Sequence, residues 1–200
     1  YTVINFNLAA GNNLISLYSI PPEDQSVEFI FDSMGDNVTH IIGESQLAFN
    51  IPDIGWVGSL NAIYPDKGYW VRINENDELP VYGLPSEDAV EYIIHEGANL
   101  ISYSYGTSQS IEDALPEEIQ QSIWAIFGQN MSVMNINGSW LGSLNSFEGG
   151  QGYWLIATDN FVFEYTQPEG ISRLADTNIL PEVPEEFEYY QSIEQSFYFI

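Results

Sequence analysis

The chain repeats itself, and this limits its fold more than any other property. "GNNLIS" from Gly11 to Ser16 returns as "GANLIS" from Gly97 to Ser102. "WVGSLN" from Trp56 returns as "WLGSLN" from Trp140, and Gly68-Tyr69-Trp70 returns as Gly152-Tyr153-Trp154. The offsets are 86, 84 and 84 residues, in the same order, which chance does not supply. Weaker positions fall into the same frame. Ile4, Phe6 and Leu8 alternate with polar neighbours as in a half-buried strand, and Val90, Tyr92 and Ile94 take their places in the second copy. "HIIGE" from His40 is answered by "AIFGQ" from Ala125. The repeat therefore predicts module one over residues 1–84 and module two over 85–168.

Within each module the pattern predicts an alternating strand, a glycine turn, the "NLIS" strand and then a short helix. Val27, Ile30, Phe31 and Met34 form one apolar helical stripe behind Ser26 as N-cap. Ser110 and Asp113 predict a capping box in the second copy, where Pro116 breaks or restarts the helix. A hairpin around Gly43 or Gly128 follows, then the Trp strand, the Gly-Tyr-Trp strand and a last strand near Val81 or Phe163. The expected fold is mostly β (a β-rich α+β class). It consists of two pseudo-symmetric modules of five to seven short antiparallel strands, each with one short helix. In this reading Gly68 and Gly152 supply a turn conformation that other residues avoid, and the aromatics behind them fill the core. Trp56 and Trp140 read the same way. The rival reading makes Trp70 and Trp154 a platform for sugar rings.

Residues 169–200 have no upstream counterpart. Pro181, Pro184 and the glutamates at 182, 185, 186 and 188 predict an extended, self-repelling linker. It ends in the strand-like Phe197, Tyr198, Phe199 and Ile200, expected either to open a further domain or to pair with a neighbouring subunit. The chain opens on Tyr1 without a visible signal peptide, which reads as a mature or excised piece of a longer polypeptide.

Charge narrows the partners. Twenty-nine acids face three Lys or Arg, a net charge of −26. Such a surface repels nucleic acid and anionic membranes, leaving cations, neutral glycans or other proteins, and it also suits a saline habitat. With no cysteine there are no disulfides, zinc-thiolate sites or thiol chemistry. No apolar run reaches the roughly 18 residues of a membrane-spanning helix.

In order and spacing the repeated blocks resemble a repeat module of secreted bacterial proteins. Its usual form is Gly-Trp-Asn-Leu-Ile-Ser near the start and Pro-Gly-Lys-Gly-Tyr-Trp-Val near the end. The resemblance covers residues 1–168. Here Asn12 and Ala98 stand where the pattern has Trp, and Asp66-Lys67-Gly68 and Gly150-Gln151-Gly152 fit its turn loosely. The resemblance implies an extracellular or cell-surface location, a structural or adhesive role beside neighbouring domains or further copies, and no catalytic residues.

The remaining candidates are local. "NENDE" from Asn74 to Glu78 and Thr158-Asp159-Asn160 offer oxygen ligands, so Asp77 and Asp159 are candidate calcium ligands, with Asp36 and Asp53 weaker; a polar hairpin turn explains them as well. Asn37, Asn130 and Asn137 head N-linked acceptor patterns. Asp32-Ser33-Met34 resembles the O-glycosylation pattern of Bacteroidetes-type secreted proteins, with Ser33 as acceptor. His40 aligns with Ala125 and His95 with Ala9, so the histidines share no role across the copies. With no metalloprotease or nucleophile-elbow motif, no enzyme is expected. Glycan binding as a module accompanying a secreted enzyme is the alternative function.

Overall fold

The computed structural model describes residues 2–85 and 90–168. Among the described residues, module one carries eight strands: β1 Thr2–Leu8, β2 Gly11–Ser16, β3 Ser19–Ile20, β4 Val38–Ile42, β5 Leu47–Ile51, β6 Gly55–Gly58, β7 Gly68–Ile73 and β8 Asp77–Pro85. Those of module two form nine: β9 Tyr92–Ile94, β10 Gly97–Ser102, β11 Gln109–Ser110, β12 Ile123–Gly128, β13 Met131–Ile136, β14 Ser139–Gly142, β15 Ser146–Phe147, β16 Gly152–Ala157 and β17 Phe161–Phe163. The fold is mostly β, as the alternation predicts. Its strands outnumber the expected five to seven because two-residue pairings such as β11 with β15 carry no periodicity.

Each module is organised by one five-stranded antiparallel sheet. The orders β2-β7-β4-β5-β6 and β10-β16-β12-β13-β14 are the same arrangement written twice. β1 with β8, and β9 with β17, form the matching outer pairs. Even the irregularities recur. A bulge interrupts β4 between Val38 and His40 and β12 between Ile123 and Ala125, which inserts Thr39 in one copy and Trp124 in the other.

The helices sit where the stripes predict. Ser26 caps α1 (Val27–Phe31) by accepting from the Phe29 amide, and Val27, Ile30 and Phe31 are buried. A 3-10 segment, Asp32–Asn37, continues α1 and buries Met34. In module two the single expected helix is two: α2 Ile111–Ala114 and α3 Glu117–Gln120. Pro116 stands between them, unable to donate the amide that would join them. Ser110 caps α2 from the Asp113 amide, and its hydroxyl donates to the Asp113 carboxylate at 2.6 Å.

Each helix covers one face of its sheet, and the cores form there. Tyr69, Val71 and Ile73 of β7 meet α1 in one core, and Tyr153, Leu155 and Ala157 of β16 occupy the same places in the other. The expected linker, residues 169–200, and its expected terminal strand at 197–200 lie outside the described residues. No helix among those described is long and apolar enough to cross a membrane.

Candidate functional site

The repeated motifs converge on a junction between the modules. The Ser16 amide donates to Gly150 O at 2.9 Å, and its hydroxyl to Gln151 O at 2.7 Å. In the other copy the Ser102 amide donates to Asp66 O at 3.3 Å and its hydroxyl to Pro65 O at 2.6 Å. Ile15 bridges Gln151 and Lys67 bridges Ile101, again as pseudo-equivalent pairs. At the centre the two motif glycines touch. A Cβ on Gly68 would stand 2.7 Å from Ile101 O and 3.3 Å from the Gly152 Cα. A Cβ on Gly152 would stand 2.7 Å from Ile15 O and 3.3 Å from the Gly68 Cα.

This corrects the sequence reading of these glycines. Neither has the positive φ of a turn that needs glycine; such values occur at Gly11 and Gly97 instead. Gly68 and Gly152 are required because two backbones approach too closely for any side chain. Tandem duplication in the sequence was the available signal, but nothing in it says that the copies pack motif against motif.

A second contact closes each side. From the β12–β13 turn, Gln129 accepts from the Leu14 amide at 2.8 Å and donates to Asn12 O at 3.1 Å. From the β4–β5 turn, Glu44 accepts from the Leu100 amide at 2.8 Å. Each thereby satisfies backbone groups on the other module's edge strand. Glu44 also meets His95 Nε2 at 2.7 Å. The Glu96 carbonyl first, then Glu44, hold the His95 pKa above its ordinary value. His95 is thus a junction residue, whereas His40 faces Arg72 and Phe49 across the sheet.

The Gly-Tyr-Trp aromatics split between two faces. Tyr69 and Tyr153 are buried. Tyr69 accepts from the Tyr64 amide at 2.8 Å, and Tyr153 from the Glu148 amide at 2.7 Å. Burial pushes both phenols up, Tyr153 to about 12. Trp70 and Trp154 point the other way and are half-buried, so the expectation that the whole motif fills the core holds for the tyrosines only. Trp56 and Trp140 pack against the cores, with Trp56 near Phe31 and the Trp140 indole donating to Gln120 at 3.2 Å.

The acids of the turns are structural where their contacts are visible. The Asn37 amide group donates to the Asp77 carboxylate at 2.8 Å and to Glu75 O, while its oxygen accepts from the Asn74 and Glu75 amides. The Asn37 side chain first, then the Glu78 amide, hold Asp77 below the usual carboxylate range. The residues in matching places are not Asp77 and Asp159 but Asn76 and Asn160. Asn76 accepts from the Ala10 amide and Asn160 from the Glu96 amide, each at 2.8 Å. Asp159 sits exposed in its own turn. Among the described residues no three His, Asp or Glu converge as a metal site would require.

Asn130 and Asn137 are exposed at tight turns with positive φ. Ser33 is exposed on the 3-10 segment, beside a shallow groove lined by Asp24, Phe29 and Tyr82. Asn37 is half-buried, and the nitrogen that a glycan would occupy is already engaged.

Sequence reasoning missed the outward faces of the two large sheets. Residues opposite one another in an antiparallel pair share a face. On module one the row Asn12, Arg72, His40, Phe49, Val57 lies beside Leu14, Trp70, Ile42, Leu47. On module two the matching rows are Ala98, Ile156, Ala125, Met134, Leu141 and Leu100, Trp154, Phe127, Ser132. None of these residues is acidic, on a chain of net charge −26. Alternation along single strands would have revealed the faces only with the strand order already known.

No protein-family model matches the chain, and no curated protein or solved structure matches it either.

Proposed function

We propose that the chain is a rigid structural and adhesive segment of a larger secreted or surface-attached bacterial protein, acting through neighbouring domains or copies rather than through chemistry. The observation that carries this reading is the junction. The most strongly repeated residues, Gly68, Gly152 and the "NLIS" serines, join one module to the other. The extracellular location rests on the resemblance of the repeat.

Pulling a single molecule between residues 2 and 168 tests the spacer role. A segment that locks its modules together ruptures in one cooperative event. Two independent ruptures would remove this reading. The assembly strand Phe197, Tyr198, Phe199 and Ile200 is tested separately, by deleting residues 187–200 and imaging the product.

A carbohydrate-binding role is the second reading, favoured by half-exposed Trp70 beside Phe49, His40 and Arg72 on a sheet face. Capture on a glycan array that is lost in Trp70→Ala with folding intact would support it.

A further inference from the structure

We infer that the two outward sheet faces are halves of one self-association contact, in which the module-one face of one copy packs on the module-two face of the next. The inference rests on the reading that this chain works by contact with its own copies.

The first ground is where exposed apolar side chains fall. Eighteen large ones are exposed among the described residues. Ten of them, Ile42, Leu47, Phe49, Ile51 and Val57 with Trp124, Phe127, Met134, Ile136 and Leu141, belong to the outward sides of β4–β6 and β12–β14. Five such side chains expose on the order of a few hundred Å² per face, the size at which a surface patch marks a contact. With their polar rims, two such faces approach the roughly 800 Å² per partner of a stable interface.

Charge then selects the occupant. Two copies of net charge −26 repel wherever carboxylates meet. The outward rows hold none, so they are the surfaces through which copies can touch without opposing acids.

The difference between the faces sets the pairing. Face one carries Arg72, which meets Asn12 at 3.4 Å and pairs with no described carboxylate, together with His40. Face two has Ile156 and Ala125 in those places and presents Trp124, Phe127 and Trp154. Face one on face one would bring two guanidinium groups that lack a described carboxylate partner into one contact. Face one on face two sets a guanidinium against aromatic rings, a favourable cation–π arrangement. Such a heterologous contact leaves one face of each kind free after every addition, so it propagates as an open chain.

Sedimentation of the full chain from about 1 μM to about 1 mM brackets ordinary affinities. It is run at about 0.05 M and about 1 M NaCl, because screening relieves the repulsion between copies. The expected result is an average mass that climbs with concentration and with salt and does not stop at a dimer. Phe49→Glu breaks face one and Leu141→Glu breaks face two. Both side chains are exposed, at 49% and 57%, so the fold tolerates the changes. Each variant alone should weaken association by at least about tenfold, as a buried unpaired carboxylate requires. An equimolar mixture of the two should recover a dimer and go no further, since one intact face of each kind remains.

A monomer under all conditions overturns the proposal. So does an oligomer indifferent to both variants, or one lost on deleting residues 187–200 but not with the face variants. Dimers of Leu141→Glu alone would show face one pairing with itself, and glycan capture abolished by Phe49→Glu would give that face to a sugar. None of these outcomes bears on the pulling experiment, so the spacer reading stands or falls by itself.

Discussion

The two modules share a backbone and fill it differently. Module one places Phe6, Leu17, Ile63, Leu79 and Val81 in its core. Module two has Tyr92, Tyr103, Phe147, Phe163 and Tyr165 in the same slots. There the rings stack and cross with centroids about 5 Å apart. The volume is returned by the helix, where Ile30 and Phe31 of α1 become Ala114 and Leu115 beside α2. Module two also finds partners for its hydroxyls. Tyr165 donates to Ser102 O at 3.0 Å, Tyr103 donates to Gln109 at 2.9 Å, and Tyr92 donates to the Ser102 hydroxyl at 2.7 Å. The lesson is that total volume and polar satisfaction constrain these cores, while residue identity is free to drift.

Moving residues between the copies breaks this balance. Tyr165→Val imports the module-one residue without its helix and should cost about 3–4 kcal/mol through the cavity and the lost Ser102 contact. Adding Ala114→Ile should return part of that loss. Denaturant unfolding of the single and double variants measures both. A cost below about 1 kcal/mol for Tyr165→Val would mean the slots are not compensated across the core.

The junction predicts equality where the cores predict difference. Gly68→Ala and Gly152→Ala each drive a methyl into backbone that cannot give way, at 2.7 Å from a carbonyl oxygen. Each should cost about 2 kcal/mol by overpacking, and the two costs should agree. Unequal values in the same unfolding assay would end the description of the junction as a pseudo-twofold.

These results also show what the sequence could reveal. The duplication, the strand-rich class, the Ser26 and Ser110 caps and the break at Pro116 follow from local chemistry, because each depends on residues a few positions apart. The junction does not follow from it. Gly68 and Gly152 look like turn glycines until the other copy's backbone is placed against them. Asn37 reads as a glycan acceptor and Asp77 as a calcium ligand, but they bond to each other across forty residues of chain. The outward faces require the strand order, since Phe49 and Arg72 become neighbours only through His40.

The arms of the junction carry a smaller contrast. Gln129→Ala leaves the Leu14 amide and Asn12 carbonyl without their partner and should cost about 1 kcal/mol. Glu44→Ala should cost a similar amount through Leu100. Thermal unfolding of the two variants side by side is the check, and a free loss of either arm would assign the closure to the glycine contact alone.

Only the Glu44 arm responds to pH, because Ala9 stands where the second copy has His95. His95 is exposed and faces Glu44, the Glu96 carbonyl and, more weakly, Lys67, which opposes its charge. Its folded pKa is raised. Its contribution is therefore fully present below the ordinary histidine value near 6.5 and fades as pH rises through the higher folded value. Glu44→Gln keeps an acceptor for the Leu100 amide and copies the Gln129 arm, but it removes the charge that favours the imidazolium. The native chain should gain on this variant by up to about 0.5 kcal/mol between pH 8 and pH 6, the scale of an exposed pair. The many other acids titrate alike in both proteins, so they cancel in the difference. A gap that stays constant across that range would show that His95 and Glu44 meet without coupling, and that both arms of the junction are indifferent to pH.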